Sequence, residues 1–305
     1  MSDAREIVKA LKGISKGKVM ENVPMSAFTS IGVGGPAEVA WVPIDAEELC
    51  RVLDLCEREG FKYEVLGAGT NVIVRDGGIE GLTVLMRGAL EWIDMNGALI
   101  RAGCGTSLPR LSWLSAKAGL SGFEFAGGIP GTVGGGMQTN AGAFGGCIAD
   151  VLHSALLRLV GGEVVKWDKE QFGFEYRSSK IPKNAVVLEA TFNLRVSRSD
   201  EVRARMKEMA DKRRQSQPTG VMSAGSIFKN PKGDSSARLI DSAGLKGLKL
   251  GKAMVSEKHA GYIINTGGAS ARDVLILMEE VQRKVFELYG VKLEPEVKII
   301  GKELN

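Results

Sequence analysis

Two glycine-rich stretches carry the residue types that main chain needs to grip a phosphate-bearing cofactor. They are Gly67-Ala68-Gly69-Thr70-Asn71 and the run from Ala126 to Gly146, in which nine of twenty-one residues are glycine. Each glycine inside a helix or strand costs roughly 0.5–1 kcal/mol relative to alanine, so the second stretch predicts a loop. With no Cβ in the way, backbone N–H groups can converge on an anion and a flat ring can lie against the main chain. For Gly67–Asn71 alone, a simple tight turn is an equal reading. Three further segments gather polar residues beside glycine or within strands: Tyr176-Arg177-Ser178-Ser179-Lys180, Gly225-Ser226-Ile227-Phe228-Lys229-Asn230-Pro231, and Leu293-Glu294-Pro295-Glu296-Val297-Lys298. Taken singly, each has a plain explanation. Arg177 could pair with a surface carboxylate, Ser226 could serve a turn, and Glu296 could face solvent on an edge strand that Pro295 would suit.

The elements around these segments narrow the chemistry. Gly67 closes the apolar run Tyr63-Glu64-Val65-Leu66 and Asn71 opens Val72-Ile73-Val74, so the first loop is strand–loop–strand. A P-loop or Rossmann fingerprint needs a helix after the glycines, with phosphate on its N-terminus, and no Gly-Lys-Ser/Thr follows here. What remains is a flavin-type site in which loops cradle the pyrophosphate. Elsewhere the pattern predicts a helix from Met1 to Lys18 with Ile7, Val8, Leu11 and Ile14 on one side, a strand at 38–43, and a helix Asp45–Glu59 capped by Asp45 and Glu48 and stopped by Gly60. Short strands follow at 62–66, 71–74, 82–86, 90–94 and 98–102, then a helix Leu108–Ala118. Gly161-Gly162 marks a hairpin, and Val186–Leu194 is a strand. A charged helix runs from Ser199 to about Arg214, and Gln215–Gly225 reads as a loop. Beyond it lie a helix at 235–243, strands near 252–256 and 261–265, and a helix from Ser270 to Gly290 with Val274, Leu277, Val281, Val285 and Leu288 on its stripe. A final strand is expected over Val291–Ile300. The expected division is 1–200, itself two α+β subdomains split near residue 88, and 201–305.

Composition bounds the rest. The chain has 305 residues, 44% hydrophobic and 25% charged, which suits a globular protein of two domains. No stretch of about 18 apolar residues exists, so no membrane span is expected, and the N-terminus lacks the apolar core of a signal peptide. Cys50, Cys56, Cys104 and Cys147 match no zinc or redox spacing, and His153 and His259 are the only histidines. A metal site is not expected, and a reducing cytoplasm is the natural location. Six Lys or Arg between Arg203 and Arg214 interleave with Glu208 and Asp211, the pattern of a solvated helix. With a net charge of only +4, no nucleic-acid partner is expected. A monomer is the default expectation.

Together the motifs resemble the UDP-N-acetylenolpyruvoylglucosamine reductase family over nearly the whole chain, from Ser30–Ala37 to Glu294–Gly301. The most specific pieces are Gly67–Asn71, Gly128–Gly135, Asn140–Gly145, Tyr176–Ser179 and Gly225–Pro231. The resemblance implies an α+β fold: a vanillyl-alcohol-oxidase-type FAD-binding domain of two subdomains, with a smaller α+β substrate-binding domain. It implies FAD bound without a covalent link by Gly67, Ala68, Gly69, Thr70, Asn71, Gly128, Ile129, Gly131, Thr132, Gly134, Gly135, Asn140 and Gly142, and NADPH as hydride donor. The implied reaction reduces the enolpyruvyl C=C of a UDP-linked N-acetylglucosamine to give UDP-N-acetylmuramate, a cytoplasmic step of peptidoglycan synthesis. Arg177 and Glu296 match the residues that stabilise the enolate, Ser226 the proton donor, and Tyr176, Lys229 and Asn230 substrate contacts. No tyrosine lies between Ser178 and Gly225, so the chain looks like the shorter branch that lacks an inserted tyrosine loop. Thr139 and Phe144 stand where the family tends to carry Met and Tyr. Competing readings are another FAD-dependent oxidase or dehydrogenase of the same domain type acting on a hydroxy acid, and a nucleotide-binding regulatory module without turnover. If Arg177 and Glu296, 119 residues apart, serve one enolate, the last strand must fold back toward the flavin.

Overall fold

A computed structural model describes residues 4–304. The chain forms two compact units, each threaded from several segments: the first holds the residues up to Glu21, Val39–Ala68 and Gly81–Arg213, the second Asn22–Glu38, Gly69–Glu80 and the chain from Arg214 onward. Each has its own apolar core, with Trp41, Phe123, Phe172 and Phe192 in the first and Ile31, Phe228, Leu277 and Val285 in the second. Both mix helices with mostly antiparallel strands, the expected α+β class.

In the first unit the helix Ala4–Ile14 buries Ile7, Val8 and Leu11. Ile14, placed on the same side by its spacing, ends the helix and is 39% exposed. Asp45 opens the helix Ala46–Glu59 by accepting the Glu48 N–H at 2.7 Å, and Gly60 closes it at φ +71°, a left-handed value that suits glycine. A four-stranded sheet runs in the order Lys18–Pro24, Pro36–Val42, Ile79–Leu85, Tyr63–Leu66, the last pair parallel. A five-stranded antiparallel sheet runs in the order Val164–Asp168, Leu152–Arg158, Val186–Asn193, Leu99–Gly103, Ile93–Asn96. Arg158 is fully buried on this sheet and pairs with Asp54 and Glu57 of the preceding helix, each at 2.5 Å. The charged helix Ser199–Ser216 buries only Val202, as a solvated helix should.

One expectation fails here. The glycine-rich run is not all loop, since Val133–Gln138, sequence Val-Gly-Gly-Gly-Met-Gln, forms a short helix capped by Thr132. Close packing overrides the glycine penalty: a Cβ at Gly134 would lie 3.1 Å from Cys104 Cβ, and one at Gly136 would lie 3.0 Å from Leu108.

The second unit carries an antiparallel sheet in the order Met222–Ser226, Tyr262–Asn265, Ala253–Val255, Lys249–Leu250, with helices Ser236–Ser242 and Ala271–Tyr289. Met222–Ser226 is thus a strand inside a stretch that composition reads as loop, formed because it pairs with Tyr262–Asn265. In the long helix, Val274, Leu277, Val281 and Val285 are buried, whereas Leu288 is 60% exposed in the final turn. The last strand is shorter than expected: only Lys298–Ile300 is regular, lying parallel to Val72–Val74. Asp76 fixes the same region by accepting the N–H groups of Ala271 and Arg272, both at 2.8 Å, at the start of the long helix.

Candidate active site

Within the first unit Gly67, at the start of the first glycine-rich stretch, meets the second. A Cβ at Gly67 would lie 2.7 Å from Thr132 Oγ1, so only glycine fits there. The second stretch is pinned from behind, where Leu108 N–H donates to Gly131 O at 3.0 Å and Val133 and Gly134 N–H donate to Thr106 O and Cys104 O at 2.9 and 2.8 Å. Gly135 N–H donates to Thr132 Oγ1 at 3.3 Å and Ile129 N–H to Ala126 O at 3.0 Å. The amide donors at the start of the short helix are therefore committed to protein, and a phosphate cradled here must draw on other N–H groups of the two stretches. Gly135 is where a ligand could exploit a missing side chain: a Cβ there would touch only Thr132 Oγ1, at 3.4 Å. Gly142 is different, because the Gly146 carbonyl, 2.7 Å from any Cβ, already fills that space. The geometry thus provides a stretch of main chain with an open glycine face at Gly135, and it fits a cofactor held by backbone.

Arg213 is a residue that sequence reasoning did not single out as part of this assembly. Its guanidinium donates to the Gly128 carbonyl and lies 5.9 Å from the Phe144 ring, so it clamps the glycine-rich run from the charged helix. The only sequence signal was the Arg213-Arg214 pair at the end of that helix.

Arg177 and Tyr176 form the tip of a two-residue turn, closed by Glu175 N–H to Ser178 O at 3.2 Å and Ser178 N–H to Glu175 O at 3.3 Å. Arg177 has φ +56°, a conformation that costs a non-glycine residue of order 1–3 kcal/mol and concentrates at functional sites. Its guanidinium carbon lies 5.3 Å from the Tyr176 ring centroid. Asn140, expected among the cofactor residues, spends both ends of its amide on protein, with Nδ2 donating to Glu175 O at 3.1 Å and Oδ1 accepting Ala149 N–H at 3.0 Å. A cavity of about 650 Å³ opens near Phe144 and Gly145, but no candidate residue lines it, and its Glu124 carboxylate is engaged by Arg205, Ser121 and the Gly122 N–H.

The second unit holds Gly69, Thr70, Asn71, Ser226, Lys229, Asn230 and Glu296. Gly69 has φ +66° and its carbonyl accepts Ser30 N–H at 2.9 Å; any Cβ there would collide with the Phe28 carbonyl. The segment 294–296 lies beside the Ser226 strand's extension: Glu296 N–H donates to Ile227 O at 2.7 Å, Lys229 N–H donates to Glu294 O at 2.9 Å, and Phe228 bridges to Pro295. Asn71 holds the same segment from the other side, its Nδ2 donating to Glu296 O at 3.2 Å and its carbonyl accepting Lys298 N–H at 3.0 Å. Lys229 Nζ lies 3.8 Å from the Glu294 carboxylate, and Asn230 Oδ1 accepts Ser236 N–H at 3.1 Å. Ser226 pairs with Tyr262, and the neighbouring Ile227 N–H donates to Gly261 O at 2.9 Å. His259 Nδ1 accepts the Gly261 N–H at 3.2 Å, and burial holds its basicity below the ordinary imidazole value, so it is a neutral local acceptor. Arg177 belongs to the first unit and these residues to the second.

Comparison with known proteins adds the family. A sequence model of the FAD binding domain matches residues 37–168, and one of the UDP-N-acetylenolpyruvoylglucosamine reductase C-terminal domain matches residues 217–300. The UDP-N-acetylenolpyruvoylglucosamine reductase of Clostridium novyi is 41% identical over 305 residues, covering 99% of this chain and 99% of that protein. That of Bacillus licheniformis is 38% identical over 300 residues, covering 98% and 99%. Among solved structures, the UDP-N-acetylenolpyruvylglucosamine reductase of Thermus caldophilus superposes with a TM-score of 0.80 at 36% identity, over 93% of this chain and 98% of that one.

Proposed function

The chain belongs to the UDP-N-acetylenolpyruvoylglucosamine reductase family, FAD-dependent oxidoreductases that use NADPH in peptidoglycan synthesis, and we propose that Arg177, Ser226 and Glu296 are the residues that carry its reaction. The reaction reduces the enolpyruvyl C=C of a UDP-linked sugar. When bound, FAD supplies the two-electron chemistry between NADPH and that double bond. The residues that would hold it are the main chain of Gly67–Asn71 and Gly128–Gly135, which the open face at Gly135 and the contact of Gly67 with Thr132 support.

The substrate's double bond is conjugated to a carboxylate, so reduction at the terminal carbon leaves negative charge on the carbon that bears it. A guanidinium at Arg177, whose backbone is already set in its turn, stabilises the enolate charge that develops beyond the carboxylate's own more than it stabilises the ground state, which is what lowers a barrier. Glu296 is assigned to the same enolate as a hydrogen-bonding carboxyl group. Ser226 delivers the proton that completes the reduction; serine is a weak acid, so its neighbours must place it well. Tyr176, Lys229 and Asn230 are assigned to the rest of the substrate, with Lys229 as a point charge for a diphosphate. The observation that carries the assignment is the seating of Glu294–Glu296 along Ile227–Lys229, which brings Glu296 next to the Ser226 segment from 70 residues away. On this reading residues 1–200 serve the flavin and 201–305 the substrate, and the enzyme works in the cytoplasm as a monomer with neither nucleic acid nor membrane as partner.

The purified protein is expected to be yellow, to be bleached anaerobically by NADPH, and to be reoxidised by enolpyruvyl-UDP-N-acetylglucosamine far faster than by dioxygen. Rapid reoxidation by dioxygen with no response to the enolpyruvyl substrate would instead favour an oxidase of the same domain type.

A further inference from the structure

Asn140 stands in the second glycine-rich stretch, where a cofactor contact is the first assumption, yet its side chain is buried and bound to protein at both ends of its amide. Its Nδ2 donates at 3.1 Å to the carbonyl of Glu175. That carbonyl is also the acceptor for Ser178 N–H, so it is one of the two pins of the turn whose tip is Tyr176-Arg177. Ser179 Oγ adds a second tie from the far side of the turn, donating to Gln138 O at 3.0 Å. Both ties start at the C-terminal end of Val133–Gln138, the short helix whose first turn faces Gly67. Asn140 itself sits at φ +43°, which asparagine tolerates better than most residues, and this backbone turn lets its amide reach both Glu175 and Ala149.

We infer that Asn140 is a positioning residue for Arg177: its amide fixes the Glu175 carbonyl, holds the strained turn closed, and so sets where the guanidinium stands when enolate charge develops. The inference rests on the catalytic reading of Arg177 given above. The left-handed arginine at the tip of this two-residue turn lies outside any helix or strand, and the turn's own two hydrogen bonds are long, at 3.2 and 3.3 Å. The Asn140 donor on the shared carbonyl adds a third bond to the turn's base. Misplacement of an electrostatic group by about 1 Å can cost about 10²-fold in rate, so a clamp of this kind bears on turnover as well as on stability.

Two substitutions separate the bonds. Asn140→Gly removes both without a backbone penalty, because glycine accepts φ +43° freely. Asn140→Asp keeps the acceptor for Ala149 N–H and turns the donor to Glu175 into a carboxylate oxygen that repels that carbonyl. Flavin content and anaerobic single-turnover reoxidation by enolpyruvyl-UDP-N-acetylglucosamine are measured for each, alone and combined with Arg177→Ala. Both variants are expected to retain flavin and to slow reoxidation by about 10- to 100-fold, at least about 10-fold more than any slowing of reduction by NADPH. In the Arg177→Ala background the same changes should add less than about 2-fold, since a clamp has nothing left to position. Full additivity with Arg177→Ala overturns the inference, as does loss of flavin from both variants, or a normal rate in Asn140→Asp. Should Arg177→Ala itself reoxidise at the wild-type rate, the catalytic reading beneath falls, and the inference with it, and that result is distinguishable from failure of the clamp alone.

Discussion

Ser226, the proton donor we propose, owes its setting to the backbone around it more than to its own side chain. Its hydroxyl is ordinary, and what sets it apart is a neighbourhood built from backbone: a strand pairing to Tyr262, the Gly261 carbonyl on Ile227, and the Glu296 N–H on the Ile227 carbonyl. If Ser226 gives the proton that follows hydride addition, Ser226→Ala should slow reoxidation by the enolpyruvyl substrate by about 10²-fold or more, with a much smaller change in reduction by NADPH. Stopped-flow traces of flavin absorbance follow both half-reactions, and an equal loss in the two would sink the assignment. Sequence reasoning reached Ser226 and Glu296 through their motifs. It could not reach the hydrogen bonds that join them, because Ile227 and Glu296 are far apart along the chain and no local pattern encodes a pairing of that range.

At the scale of elements, the glycine-rich run shows that one composition can serve two ends. Several glycines serve the protein's own packing: Gly67 of the first stretch against Thr132, and within the run Gly134 against Cys104 and Gly142 against the Gly146 carbonyl. Replacing Gly69 would therefore say little about flavin, since any Cβ there strikes the Phe28 carbonyl and the loop must move. Gly135 is the informative position. Gly135→Val adds bulk where the protein leaves room, and valine in a helix is no worse than glycine, so the thermal stability of the flavin-free protein should change by no more than about 1 kcal/mol. Flavin content after purification should fall sharply, and a fully loaded Gly135→Val would remove residues 128–135 from the cofactor site. The short helix itself was illegible in sequence, because three consecutive glycines argue against a helix everywhere except where neighbours such as Leu108 and Cys104 leave no room for anything larger.

At the scale of the whole molecule, the first unit depends on a charge cluster away from any candidate residue. Arg158 is fully buried with Asp54 and Glu57 on its guanidinium, and Glu57 also accepts Tyr63 OH at 2.8 Å and Gly161 N–H at 2.8 Å. The hydrogen bond from Arg158 holds the Glu57 carboxyl at about 2, against a usual 4.5 and in spite of burial, which pushes it up. A depressed carboxyl contributes stability that is fully present above its unfolded value and is lost as pH falls toward its folded one. The contribution is of order 3 kcal/mol, and it should fade between about pH 4.5 and pH 2. Glu57→Gln is accordingly expected to be destabilised by roughly 2–4 kcal/mol at neutral pH and to converge on wild type as pH drops through that window, as followed by urea unfolding at a series of pH values. A gap that stayed constant with pH would mean that the loss came from packing rather than charge.

By itself the sequence determined the α+β class, most helix boundaries and the segments proposed to carry the chemistry, since these rest on local signals: Asp45 and Gly60 as caps, the Gly161-Gly162 turn, and motifs whose residue types suit a flavin and an enolate. Only the tertiary structure decided that Asn22–Glu38 and Gly69–Glu80 belong with the C-terminal unit, that Asn71 and Asn140 spend their amides on the backbone of Glu296 and Glu175, and that Arg213 grips Gly128. Local propensity acts over a few residues, within the reach of one turn or one cap. The parallel pairing of Val72–Val74 with Lys298–Ile300 joins segments more than 200 residues apart, and such a contact is selected by the fit of whole surfaces after the loop entropy has been overcome, so nothing at either position announces the other.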